Sequence, residues 1–148
     1  MGIARMSDYK IVALPVTLVE VMWDKMIPHL KKAIEISNGE LTEEGVKGVL
    51  TSGHNMGLLI CRGENVTAVH TLEVRELSEG LRVLHINAIG GEEMDAWFEQ
   101  YVTVMKAIAK DLNCTEVRGC AVRDGWLRYL KSTGFEKISS TVRLKLGE

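Results

Sequence analysis

The stretch LRVLHINAIGGEEMDAWFEQYVTVMKAIAKDLNCTEVRGCAV, residues 81–122, decides the fold of this chain. Its first part, 81–89, is largely apolar and predicts a strand that ends at the pair Gly90-Gly91. Residues 92–112 then repeat apolar side chains at helical spacing, and 115–122 return to a strand pattern. A strand, a helix and a strand in this order predict two neighbouring parallel strands, with Ile86 and Val117 close together.

The rest of the chain supplies strands and helices on either side of this unit. Strands are predicted over 9–14, 56–62, 66–75 and 135–146, and helices begin at Thr17, Thr42 and residue 125. This order predicts an α/β fold of the mixed α+β kind, with a central twisted mixed sheet of about six strands and helices on both faces. No linker or repeat divides the sequence, so one domain over 1–148 is expected.

The composition narrows the classes of partner. The chain has 148 residues, of which 46% are hydrophobic and 26% charged, as in an ordinary globular domain. The net charge is −2 and the basic residues are scattered, which argues against a nucleic-acid partner. No membrane-spanning run or signal peptide is recognisable, so a cytoplasmic protein without a membrane partner is predicted.

The hairpin formed by 66–75 and 81–89 has a register that can be predicted from charge and apolar pairing. Placing Glu73 opposite Arg82 also places His70 opposite His85, with Asn87 on the same face. Two facing histidines are either hydrogen-bonded structural residues or candidates for proton transfer. A metal site is not predicted, because no third ligand is suitably spaced in the sequence.

The order of elements resembles that of the GNAT superfamily of acetyl-CoA-dependent N-acetyltransferases over nearly the whole chain. The best local match runs from Asn113 to Phe135, where a strand precedes a short helix that ends at the pair Gly134-Phe135. The run RDGWLRYLK, residues 123–131, is also similar to short GNAT-like proteins encoded by phages.

This resemblance implies an acetyl-CoA site between the fourth and fifth strands, with the pyrophosphate on amides at the start of the next helix. The family signature Q/R-x-x-G-x-G/A corresponds here to NAIGGE, residues 87–92. A glycine pair at this place also suits a plain tight connection. The candidate cofactor-binding residues are Asn87, Ala88, Ile89, Gly90, Gly91 and, beside the following helix, Arg123.

Two features depart from the family pattern. Glu92, Glu93 and Asp95 place carboxylates in the first helical turn, where they are expected to repel a pyrophosphate. The tyrosine that protonates the departing thiolate in much of the family corresponds to Leu130, and Tyr129 lies about 100° away around the helix. Tyr129 is therefore a candidate general acid, with a packing role as the alternative.

Two functions follow from these observations. The resemblance implies transfer of an acetyl group from acetyl-CoA to an amine of a small molecule or protein, with His70, His85 or Glu73 as the base. The altered motifs support instead a catalytically inactive GNAT-fold protein that binds a protein partner, such as a phage virion component or an inhibitor of a host protein. The sequence leaves enzymatic activity open, and a homodimer is among the assemblies that it permits.

Overall fold

The computed structural model describes residues 8–119 and 124–147. Over these ranges a 3-10 turn, Val16–Leu18, precedes the first helix, and a second, Ser78–Gly80, joins two strands. The strands are β1 Tyr9–Leu14, β2 Met56–Arg62, β3 Asn65–Glu76, β4 Arg82–Gly91 and β5 Glu116–Gly119. The helices are α1 Val19–Glu35, α2 Glu43–Thr51, α3 Met94–Asp111 and α4 Asp124–Ser132.

The sheet is mixed and follows the order β1-β2-β3-β4-β5. The first three pairings are antiparallel and the β4–β5 pairing is parallel. Leu84 pairs with Val117 and Ile86 with Gly119, so the predicted strand, helix, strand unit is confirmed. The predicted mixed α/β fold is also confirmed, although five strands are present in the described ranges where about six were expected.

Alternating side chains of the central strands build two cores, one on each face of the sheet. Leu58, Ile60 and Leu72 are buried against α3, whereas Leu59 and Val69 are buried against α1 and α2. Because strand side chains alternate between faces, each strand contributes to both cores. Helices therefore cover both faces, as predicted.

The helix starts show which local signals determine the backbone. Thr42 precedes α2, and its Oγ1 accepts a hydrogen bond from the Gly45 amide at 3.0 Å, as the N-cap pattern predicts. The helix start expected at Thr17 is wrong by two residues, because residue 17 lies inside the 3-10 turn, where the Leu18 amide donates to the Pro15 carbonyl at 2.9 Å, and α1 begins at Val19. No helix in the described ranges has the length and apolar character that a membrane crossing requires.

The strand predicted over 135–146 is not formed. These residues are described and contain neither strand nor helix. The side chains of Val142, Leu144 and Leu146 are 92%, 84% and 91% exposed. Alternation of apolar residues makes a strand only when a neighbouring edge supplies its hydrogen bonds, and this segment has none within the described residues.

Candidate functional site

The centre of the candidate site is a bulge in β4 at Asn87. Along β3, Thr71 pairs with Ala88 but the next residue, Leu72, pairs with Ile86, so Asn87 is the extra residue on β4. The described β4–β5 pairing ends one residue earlier, at Ile86 and Gly119. The bulge thus lies one residue beyond the last described pair of β4 and β5.

Four polar side chains meet around this bulge, on the sheet face opposite α3. We call Glu73, Arg75, His85 and Asn87 the Asn87 cluster. Asn87 Oδ1 lies 2.8 Å from His85 Nδ1 and accepts a hydrogen bond from Arg75 Nη2 at 2.9 Å. Asn87 Nδ2 donates to Glu73 Oε1 at 3.3 Å, and Arg75 Nε donates to the same oxygen at 2.7 Å. Neighbours on β3 and β4 therefore fix the orientation of the Asn87 amide.

This orientation selects the tautomer of His85. Since Asn87 Oδ1 is an acceptor, His85 Nδ1 must carry the proton and donate it, which leaves the lone pair on Nε2 in the neutral ring. Burial, and next the charge of Arg75, lower the pKa of His85 below its ordinary value of 6.5. His85 is therefore mainly neutral at pH 7, and its Nε2 is able to accept a proton.

Glu73 has a different character from His85. The hydrogen bond from Arg75 is the main cause that lowers the pKa of Glu73, so its carboxylate is ionised and weakly basic. It is better suited to orient Asn87 than to remove a proton from a substrate. The structure places Glu73 opposite His85 in the β3–β4 ladder.

The predicted pairing of His70 with His85 is wrong. His70 pairs with Ile89 and lies on the opposite face, fully buried against the rings of Trp97 and Tyr101 at centroid distances of 5.2 and 4.1 Å. The bulge and the longer turn after β3 shift the ladder away from the register expected from charge. Burial lowers the pKa of His70 well below 6.5, and neither ring nitrogen has a hydrogen-bond partner among the described residues. His70 thus has no access to a substrate at the Asn87 cluster.

Tyr129 packs α4 against α3. Its ring centroid lies 5.8 Å from that of Phe98, its hydroxyl donates a hydrogen bond to the Asp95 carboxylate, and the Arg128 guanidinium lies 5.2 Å from the centre of its ring. The side chain thus closes the space between the first turn of α3 and α4. The remaining candidate on this side, Arg123, lies outside the described residues.

The glycine pair at the end of β4 is required by packing. A Cβ atom on Gly90 would collide with the carbonyl oxygen of His29 in α1, and one on Gly91 would collide with Ala68 in β3. Gly91 also has a φ of 151°, which disfavours other residues. The neighbouring candidate Ala88 is buried in the core beneath α1, whereas Ile89 packs on the α3 side. Close packing of α1 on β4 therefore accounts for Gly90 without a bound phosphate.

The acidic start of α3 is arranged differently from the expectation. Glu93 accepts a hydrogen bond from the Tyr9 hydroxyl and lies 3.6 Å from Arg62, so its carboxylate turns toward β1 and β2 and away from β5. The Glu92 amide already donates to the Thr67 carbonyl at 2.9 Å. The expectation that Glu93 blocks an anion between β4 and β5 is thus wrong, because its charge is engaged on the far side of β3.

A small cavity adjoins the Asn87 cluster and contains residues that sequence reasoning missed. It measures about 180 Å³, and Arg75, His85 and Arg118 contribute to its wall. Along its strand, each arginine follows a half-buried apolar residue. Because side chains alternate between the faces of a strand, this pattern could have predicted that both arginines share a face with His85. In the part of the chain that the structure describes, no three histidine, cysteine or acidic side chains group as metal ligands.

Comparisons with known proteins bear on the fold. Neither a protein-family model nor a curated protein matches the sequence. The structure is similar to an aminoglycoside acetyltransferase, meta-AAC0020, from an uncultured soil metagenomic sample in complex with sisomicin, with a TM-score of 0.72 and 15% identity over 96% of this chain and 97% of that one.

Two further solved structures extend this likeness. The aminoglycoside N-acetyltransferase AAC(6')-Iy in complex with CoA gives a TM-score of 0.64 at 12% identity, covering 93% of this chain and 94% of that one. Ribosomal-protein-alanine N-acetyltransferase from Brucella melitensis biovar Abortus 2308 gives 0.67 at 14% identity, covering 94% and 99%. At these identities the likeness concerns the fold, and the chain has a GNAT-like fold.

Proposed function

We propose that the chain is an N-acetyltransferase that transfers an acetyl group from acetyl-CoA to an amine. The observation that carries this proposal is the state of His85, a half-buried and mainly neutral histidine whose ring is held by Asn87 and which pairs with Arg118 of β5. The family resemblance implies an acyl donor between β4 and β5. His85 would then adjoin the carbon at which an amine attacks.

The start of α3 offers a place for the pyrophosphate of acetyl-CoA. The amides of Met94 and Asp95 open the helix, and helix geometry leaves such amides without acceptors inside the helix. They lie at the positive end of the helix dipole, which favours a phosphate. Since the Glu93 carboxylate is engaged by Arg62 and Tyr9, these residues fit the group. Acetyl-CoA, when bound, supplies the thioester that the amine attacks.

Within this proposal the residues of the Asn87 cluster have separate roles. His85 Nε2 accepts the proton that the amine loses as it attacks. Asn87 keeps the proton on Nδ1, and Glu73 and Arg75 keep Asn87 in place. Histidine at this position is a better base than Glu73, because a general base works best when its pKa lies near the working pH.

The acceptor is an amine of a small molecule or of a protein. The solved neighbours carry names that include both kinds, aminoglycosides and a ribosomal protein. Their fold therefore leaves the acceptor open. The names of these neighbours have acetyl transfer in common, and transfer to an amine is the form of it that we propose for this chain.

A second candidate function is binding without transfer. The observation that favours it is the hydrogen bond from Tyr129 to Asp95, which engages the hydroxyl proposed as the acid for the departing thiolate. Without an acid at that position, a protein of this fold would bind its ligand and not turn it over. The inactive, partner-binding protein considered from the sequence belongs to this candidate.

An acetyl-transfer assay tests the proposal. The full chain is mixed with acetyl-CoA and a panel of amines, and release of free CoA thiol is measured together with the mass of the acetylated product. We expect transfer to at least one amine, and we expect His85→Gln to lower kcat by roughly 10²- to 10⁴-fold, the usual contribution of a general base. His54→Gln is the matched control, because His54 is exposed and is not among the residues that form the Asn87 cluster or line its cavity. Full activity in His85→Gln would refute the role of His85, and acetyl-CoA binding without thiol release would favour the second candidate.

A further inference from the structure

The charged side chains that line the cavity beside His85 are all positive among the described residues. Its polar side chains include the guanidinium groups of Arg75 and Arg118 and the imidazole of His85, and its apolar part includes Leu77, Val83 and Ile138. No carboxylate side chain lines it among the described residues. A group that enters this cavity thus meets positive charge and an apolar floor, next to a neutral base.

Both arginines are held in place by acids outside the cavity. Arg75 Nε donates to Glu73 at 2.7 Å, and Arg118 Nε donates to Glu116 at 2.7 Å. Arg75 also donates through Nη2 to Asn87. A guanidinium has five N–H donors in a rigid fork, so these bonds orient each group and leave donors for a further anion, most of them on Arg118. The arginine side chains are 43% and 30% exposed, which is compatible with a bound molecule reaching them.

The spacing of His85 and Arg118 matches a small bifunctional molecule. The two residues are direct partners in the parallel β4–β5 ladder, and neighbouring strands lie about 4.8 Å apart. An amine at His85 and an anion at Arg118 would therefore be a few bonds apart. The cavity volume of about 180 Å³ equals the space of about six water molecules at roughly 30 Å³ each, which suits a small molecule or one end of a larger one.

We propose that this cavity binds the carboxylate of the acetyl acceptor, so that the acceptor is an amine with a carboxylate a few bonds away, as in an amino acid. The inference rests on the proposed acetyl transfer and adds the substrate class to it. Arg118 is the residue that recognises the anion, with Arg75 as its neighbour across His85. A polycationic amine is disfavoured, because two guanidinium groups would repel it.

Matched pairs of acceptors test the substrate class. The kcat/KM for acetyl transfer is measured with L-alanine against ethylamine and with L-phenylalanine against phenethylamine, and spermidine serves as the polycation. We expect each amino acid to exceed its decarboxylated partner by roughly 10- to 100-fold, the effect of a charge-assisted hydrogen bond. Arg118→Gln should reduce this preference, because it should lower kcat/KM by a larger factor for each amino acid than for its decarboxylated partner. Arg143→Gln, an exposed arginine in the segment after α4, is the control. Preference for ethylamine or spermidine, or equal losses on both members of a pair, would overturn the inference.

A second measurement separates this inference from acetyl transfer itself. The ring resonances of His85 are followed by NMR, assigned with His85→Gln, while N-acetyl-L-alanine or its uncharged amide is added without acetyl-CoA. A carboxylate between the arginines should raise the pKa of His85, whereas the amide should not, and Arg118→Gln should abolish the shift. If this shift is seen but no acetyl transfer is detected, the proposed carboxylate site is supported and the proposed acetyltransferase activity is rejected. No difference between the acid and the amide would reject the anion site whatever the enzyme does.

Discussion

Asn87 Oδ1 lies 2.8 Å from His85 Nδ1, and this contact decides which nitrogen of the imidazole is able to accept a proton. The β4 bulge brings Asn87 to this position, and two β3 side chains, Glu73 and Arg75, fix its amide. The tautomer of His85 is thus a consequence of the ladder between β3 and β4. Most of the proposed chemistry depends on this arrangement.

The pH dependence of transfer follows from the lowered pKa of His85. The neutral ring is the active form, and its pKa lies below 6.5 because of burial and the charge of Arg75. We therefore expect the protonation of His85 to leave kcat/KM unchanged near neutral pH and to make it fall on acidification with a midpoint below 6.5. The profile is measured between pH 4.5 and 8 with one acceptor, and His85→Gln should lack this acid limb. A midpoint above 6.5 in the wild type would contradict the assignment of His85 as the base.

Substitution of Asn87 should move the pKa of His85 in two directions. The hydrogen bond from His85 to Asn87 favours the charged ring, so Asn87→Ala should lower the pKa further. Asn87→Asp places a carboxylate beside Nδ1 and should raise it. Loss of one hydrogen bond should also lower kcat by up to about 10-fold in Asn87→Ala. NMR titration of the ring measures the pKa, and equal values in both variants would show that Asn87 does not orient His85.

Gly90 should be intolerant of any side chain for reasons of stability. Gly90→Ala would drive a methyl group into the backbone carbonyl of His29, and overpacking of this kind typically costs about 1–3 kcal/mol. Gly48→Ala is the matched control, since Gly48 is inside α2 with open space around its missing Cβ. The control should stabilise the protein by about 0.5–1 kcal/mol. Urea unfolding decides the matter, and unchanged stability of Gly90→Ala would show that α1 is free to move away from β4.

His70 should make stability depend on pH. Its pKa in the folded protein lies well below 6.5, so below pH 6.5 the unfolded chain takes up a proton that the folded chain does not. The free energy of unfolding should be unaffected by His70 above pH 6.5 and should fall by up to about 1.4 kcal/mol per pH unit below it. The lowered pKa of His85 changes stability in the same direction, so the wild type is compared with His70→Phe. This variant should take up one proton fewer on unfolding in acid, and its stability should therefore fall less steeply with pH. The same slope in both proteins would show that His70 is not protected from protonation.

The sequence predicted the elements better than their side-chain partners. The strands 9–14 and 56–62 coincide with β1 and β2, and α3 begins two residues after its predicted start. Periodicity suffices for this because each element buries one face. The register of β3 and β4 was wrong because Glu73 pairs with His85 and not with Arg82, a shift of three residues that the longer turn sets, and the bulge at Asn87 adds one more. No local pattern marks the length of this turn or the position of the bulge.

Only part of the candidate site was predicted, because its composition depends on the register of β3 and β4. His85 and Asn87 were expected on one face and meet there. The predicted register put His70 on that face and Glu73 on the other, and the structure reverses both positions. Gly90 was interpreted as a residue of phosphate binding, and its contact with His29 belongs to a helix far away in the sequence. Contacts between residues so far apart in the sequence are set by tertiary packing, and the residues next to Gly90 in the sequence do not indicate them.

Calorimetric titration of acetyl-CoA into the wild-type chain tests the central claim most directly, because it requires no knowledge of the acceptor. The account predicts saturable binding at one site, with about 2.7 kcal/mol of added stability when the ligand is at 100 times its dissociation constant. Glu93→Gln should leave the affinity nearly unchanged, because that carboxylate is engaged by Arg62 and Tyr9. A titration without binding heat, together with an unchanged unfolding transition at saturating acetyl-CoA, would contradict the proposal that this chain is an acetyltransferase.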